Sequence, residues 1–137
     1  MPRSLAFALT VTDWLFIAYW MASGLDKLGL VHVPADLLYA NAHDPRVVAW
    51  NWSFFPLDIA FSVVGLAAVR ASRRGRPVWR PLALISLVLT MVAGGMAVSY
   101  WTLLGEFDPA WFLPNLALLL WPLAFLPGLI GPLASDT

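Results

Sequence analysis

An aspartate inside a long apolar run constrains this chain more than any other feature. Asp58 follows Val47-Val48-Ala49-Trp50-Asn51-Trp52-Ser53-Phe54-Phe55-Pro56-Leu57, and the segment stays apolar to Val69. A stretch of this length is a candidate membrane-spanning helix. A carboxylate near its middle costs roughly 2.5–3.5 kcal/mol on insertion scales, so it needs a partner or water.

Composition points the same way. The chain has 137 residues, 61% hydrophobic and 12% charged, whereas soluble domains carry about 25% charged residues. Its mean hydropathy is +0.77. The apolar residues form four blocks, at about 5–25, 47–69, 81–104 and 111–130. At about 1.5 Å per residue, each is long enough for a hydrocarbon core of about 30 Å. The expected fold is therefore all-α, an integral membrane four-helix bundle forming one transmembrane domain over residues 1–137. Barrel strands are not expected, because the runs are too long and lack period-two alternation. The absence of cysteine excludes disulfides, thiol catalysis and zinc–thiolate sites. A cleaved signal peptide is not expected, since the first run is too long for a signal core and Asp13 interrupts it.

Basic residues set an orientation. Arg70, Arg73, Arg74, Arg76 and Arg80 crowd between the second and third blocks, and Arg3 precedes the first. The opposite loops hold only Lys27 and Arg46. This six-to-two split predicts both termini on the cytoplasmic side. The arginine cluster is a topology signal and not a nucleic-acid patch, because both its flanks are apolar spans. Trp50, Trp52, Trp101 and Trp111 near the outer ends, with Trp79 near the inner one, have the distribution of an interfacial aromatic belt.

Helix-start chemistry supports two boundaries. Asp44-Pro45 opens the second block and Asp108-Pro109 the fourth. Aspartate accepts from free helix-start amides, and proline at the first helical position sacrifices no needed donor. An asparagine follows each aspartate by seven residues, Asn51 and Asn115, a hint of two parallel repeats.

Candidate chemistry lies on the second block. Asn51, Phe55, Asp58, Ser62 and Gly65 recur at helical spacing and should share one face pointing into the bundle. Pro56 is expected to kink this helix, and Pro122 the last one. Asp13 is the second intramembrane carboxylate, about 12 Å from the cytoplasmic end of its helix, and Asp58 is about 18 Å from the same side. Their depths are close enough for a pair, and two adjacent carboxylates in low dielectric do not both ionise. Such a pair would carry a proton or bind a cation. Asn115 is placed to hydrogen-bond across to Asn51. On the third block, Ser86, Thr90, Gly94, Gly95 and Ala97 have the spacing of a close-packing face. His32 and His43, with Asp36 and Asp44 nearby, match no metal-ligand spacing, so neither metal nor cofactor is expected. No nucleophile elbow, phosphate loop or dinucleotide fingerprint is present.

The stretch from Val48 to Asp58, with its Trp50-Asn51-Trp52 core, resembles the signature of the YvaD-like family. So do Pro81-Leu82-Ala83-Leu84-Ile85-Ser86-Leu87 and Trp111-Phe112-Leu113-Pro114-Asn115-Leu116. These are small bacterial four-helix membrane proteins of unassigned function, and the resemblance spans about Asp13 to Leu126. It implies the fold and a membrane location, and no activity. The segment Ala22-Ser23-Gly24-Leu25-Asp26-Lys27-Leu28 is similar to the end of the first helix in DoxX-like proteins, another four-helix membrane group, and no function is carried across from it.

The functional expectation is a non-enzymatic multi-pass protein of a bacterial inner membrane. Arginine, alanine and glycine outweigh lysine, as in GC-rich bacteria. It would bind a small ligand, or assist a partner membrane protein or a second copy, through the polar stripe around Asp58. The alternative is a proton-coupled transporter using Asp13 and Asp58. Small multidrug transporters resemble the chain in having four helices and an early carboxylate, but this chain lacks their surrounding motif and has a stronger arginine bias. The third reading is a membrane enzyme on a lipid-like substrate, with Asp13, Asp58 and Tyr19 as acid–base groups.

Overall fold

The structure is a computed structural model, describing residues 1–34, 37 and 43–135, without the side chains of 132–135. All its regular elements are helices. Helix α1, Arg3–Lys27, runs 25 residues without interruption. The second apolar block forms two helices, α2 (Pro45–Ser53) and α3 (Phe55–Arg73). Helix α4, Trp79–Leu104, is again continuous. The last block divides into α5 (Pro109–Leu120), a 3-10 stretch over Trp121–Ala124 and α6 (Leu126–Ser135).

Three of these rods are long and apolar enough to cross a membrane: Arg3–Lys27, Pro45–Arg73 and Trp79–Leu104. The expectation of four helices, kinked at Pro56 and Pro122, is corrected at both prolines, where the helix breaks instead of bending. Pro56 has no N–H, and its ring crowds the carbonyl four residues earlier. The ladder therefore turns at Phe54, whose N–H donates to the Asn51 carbonyl (3.1 Å), and α3 restarts with Pro56 in its first turn. The break lies just ahead of Pro56, and the residue is a helix starter more than a kink. Pro122 likewise sits in the first turn of the 3-10 stretch, so the last block is no single long helix.

The predicted caps are present. Asp44 Oδ1 accepts from the Arg46 N–H (2.8 Å) and Asp108 Oδ1 from the Ala110 N–H (2.9 Å), each with proline at the start of the helix. Helix α3 packs between α1 and α4, and α4 also carries α5 and α6. Helices α1 and α5 do not approach one another closely. The small face of α4 serves packing. A Cβ on Gly94 would lie 2.6 Å from the Asn115 carbonyl oxygen and 2.7 Å from the Leu119 nitrogen, so the α4 and α5 backbones touch there. Ser86 Oγ donates to the Phe61 carbonyl (3.0 Å) and Thr90 Oγ1 to that of Ser86 (2.9 Å), which satisfies both hydroxyls inside the α3–α4 seam.

Two apolar clusters hold the rods together. Leu5, Leu9, Ala68, Leu87 and Leu129 fill the end nearest the arginine turn. Trp20, Phe54, Phe61, Ala93 and Ala97 fill the other half. Between them run the buried polar groups.

Candidate functional site

Helices α1 and α3 are antiparallel, and two contacts fix their register. Trp20 Nε1 donates to Asp58 Oδ2 (3.0 Å). Seven residues back along α1 and seven forward along α3, Asp13 lies against Gly65, where an added Cβ would overlap its Oδ2. Seven residues of helix rise about 10 Å. The expected Asp13–Asp58 pair is therefore not formed: the two carboxyls occupy the same seam two turns apart. Depth counted from each helix end missed this, because it fixed no register between the helices.

Asp58 is 3% exposed and its Oδ1 has no hydrogen-bond partner. It lines a cavity of about 380 Å³ formed by five helices and open on one side. Helix α1 contributes Phe16 and Tyr19, and α2 contributes Trp50 and Asn51. Ala93, Ala97 and Trp101 of α4 form the floor, and Trp111 and Asn115 of α5 the far wall. Because α1 and α5 stay apart, the cavity lies in a lateral cleft between them. Small alanines on α4 leave the space, and tryptophans define its rim.

Asn51 and Asn115 both line this cavity but do not bond to each other as expected. Asn51 pairs with Tyr19, accepting from its hydroxyl (3.1 Å) and donating Nδ2 back to it (3.0 Å). Asn115 Nδ2 donates to the Trp111 carbonyl of its own helix (2.7 Å). The polar stripe is also divided. Phe55 is 42% exposed, while Phe54 is buried, because the turn at Phe54 shifts the helical phase. Asn51 and Asp58 face the cavity; Ser62 and Gly65 do not line it and are buried.

A second polar spot results. Asp13 is wholly buried with both oxygens unpartnered, and Ser62 is wholly buried with its Oγ unpartnered. Ser86 Oγ would lie 2.8 Å from a Gly65 Cβ, so Asp13 and Ser86 both crowd the glycine without bonding to each other. Two turns of α3 separate this spot from the cavity.

Sequence reasoning missed Trp20, the hydrogen-bond partner of Asp58. A tryptophan within an apolar run signals only that its indole N–H needs an acceptor. Trp50, Trp101 and Trp111 were expected in an interfacial belt; they line the cavity, and Trp101 is buried. Trp50 stacks on Tyr100 (4.0 Å between centroids, 18° between planes). Lys27 Nζ sits over the Trp52 ring at 4.3 Å, and neither residue lines the cavity. Among the described residues, no three His, Cys, Asp or Glu side chains converge on a possible metal position. His32 and His43 are exposed, and Asp36 lies outside the described residues.

The geometry defines an all-helical protein with membrane-length apolar helices around an aromatic cavity that holds a buried acid. The chain belongs to the family described as a family of unknown function, DUF5360, whose model matches residues 5–135. It is 42% identical over 124 residues to a Bacillus subtilis (strain 168) protein named "Uncharacterized protein YvaD", with 90% of each chain covered. The resemblance to a YvaD-like family is thus shown. No solved structure matches the chain.

Proposed function

We propose that this chain is a multi-pass protein of a bacterial cell membrane that binds a small ligand in the cavity beside Asp58. In this reading the chain crosses the bilayer four times. The broken last segment makes the fourth crossing, and both termini and the arginine turn lie in the cytoplasm. The six-to-two distribution of basic residues supports the orientation. The observation that carries the ligand reading is the 380 Å³ cavity whose lining residues include Asp58, a buried acid with one carboxylate oxygen left without a hydrogen-bond partner. Ligand sites are mostly apolar concavities of about 300–1,000 Å³ with a few placed polar groups, and this cavity has that form. Intramembrane acids are costly enough to mark function by default.

The chain is read as a binding protein and not an enzyme. Acid–base catalysis needs a donor and an acceptor within reach of one substrate; two turns of helix separate Asp13 from Asp58, and the Tyr19 hydroxyl, which shares the cavity with Asp58, is engaged with Asn51. Proton-coupled transport is the second reading, favoured by the isolation of Asp13. A wholly buried carboxyl with no hydrogen-bond partner is suited to taking up and releasing a proton apart from a ligand at Asp58. Substrate-dependent proton movement in vesicles, abolished by Asp13→Asn, is its signature.

The binding reading is tested by thermal unfolding of the purified protein against neutral, cationic and anionic amphiphiles. At least one class should raise the midpoint, and Ala97→Phe, which fills the floor of the cavity, should remove the effect. If no class shifts the midpoint, the cavity has no ligand role.

A further inference from the structure

We infer that the cavity is selective for lipophilic organic cations, protonated amines or quaternary ammonium groups, with Asp58 as their counter-charge. The inference rests on the ligand reading above and names the chemical class it would take.

Three features converge on that class. Asp58 is the only charged residue in the wall; among the described residues no Lys, Arg or His lines the cavity. Its Oδ2 is held by Trp20, and Oδ1 is left without a partner. A buried carboxylate is stable only when something of opposite charge or a hydrogen-bond donor meets it. The protein supplies one neutral indole donor, so a cationic guest would supply the rest.

The remaining wall suits the same guest. Phe16, Tyr19, Trp50, Phe54, Trp101 and Trp111 bring six aromatic rings to it. Aromatic faces attract weakly hydrated cations, and quaternary ammonium groups are the ligands that aromatic cages recognise. A strongly hydrated metal ion would forfeit its oxygen shell here, with one carboxylate, two amides and two hydroxyls to replace it. An anion would meet Asp58 with no compensating charge.

The route of access limits the guest further. The cleft lies between α1 and α5, which do not close on each other, and Leu15 and Pro114 at its edge are exposed. In a bilayer that cleft faces acyl chains. A guest that partitions into lipid would enter sideways, so the cation should carry an apolar body.

The test compares benzyltrimethylammonium with neopentylbenzene, its uncharged carbon isostere, on the full-length protein in a non-ionic maltoside detergent. Binding is followed by tryptophan fluorescence, with partitioning into empty micelles subtracted. The cation should bind at least about tenfold more tightly than the isostere, and Asp58→Asn should remove that preference while leaving isostere binding in place. Asparagine retains an acceptor for Trp20. If this variant fails to fold, the comparison on the unaltered protein decides alone. Equal binding of the two compounds, or an unchanged preference in Asp58→Asn, overturns the cation inference and leaves the cavity as a neutral amphiphile site. Failure of both compounds to bind overturns the inference and the ligand reading together.

Discussion

Two side-chain contacts decide how α1 and α3 lie against each other, and each is testable by itself. Trp20 donates the hydrogen bond Asp58 receives within the protein. Trp20→Phe keeps most of the ring volume but leaves both carboxyl oxygens unmet. It should cost about 1–3 kcal/mol in unfolding experiments in micelles. A loss below a few tenths would mean that the bond contributes nothing. At Gly65 the issue is space. A methyl there overlaps Asp13, so Gly65→Ala should cost about 1–3 kcal/mol through overpacking. Asp13→Ala removes the nearer obstruction, leaving Ser86 Oγ at 2.8 Å, and the double variant should be less destabilised than the sum of the two single variants. Additive costs would show that the two residues are not in contact. The acids themselves were legible in the sequence, because any carboxylate in an apolar run stands out. Their partners were not. Gly65 and Trp20 are found only once the register between two helices is known, and no local pattern encodes it.

The elements follow local chemistry closely. Aspartate and proline at 44–45 and 108–109 announced two helix starts, and both carboxylates accept the expected amide. Each cap is solvent-exposed and local, so Asp44→Ala and Asp108→Ala should each cost about 0.5–2 kcal/mol, measured by chemical denaturation in micelles. An unchanged midpoint for both would mean that these ends are held by packing alone. Proline positions were also legible, but their consequence was misjudged. Pro56 was expected to bend a continuous helix; the chain instead ends one helix and begins another, which buries Phe54 and turns out Phe55. Whether proline bends or breaks a helix depends on how neighbouring rods pack over the gap, which a single segment does not specify. The same limit hid the cavity. Ala93 and Ala97 have the spacing of a packing face, and only the separation of α5 from α1 turns that face into a floor.

At the scale of the whole molecule, and in the bilayer setting proposed above, the helices form an open assembly that holds its polar groups away from lipid. The absence of cysteine makes its topology directly accessible, because single reporters need no background removal. Arg74→Cys and a cysteine after Met1 should react with an impermeant maleimide only from the cytoplasmic side, and Glu106→Cys only from the opposite side. Labelling of all three from one side would contradict four crossings. The central claim, however, is that Asp58 is tolerated at membrane depth because its neighbours shelter it. Tryptophan indole NMR in lipid nanodiscs tests it most directly. Trp20 is 3% exposed and Trp14, on the same helix, is 58% exposed, so one provides the internal control for the other. Trp14 should show strong cross-peaks to acyl-chain protons. Trp20 should show none, and its N–H resonance should move when Asp58 is replaced by leucine. Acyl cross-peaks on Trp20 as strong as those on Trp14, or a Trp20 resonance indifferent to residue 58, would contradict the account.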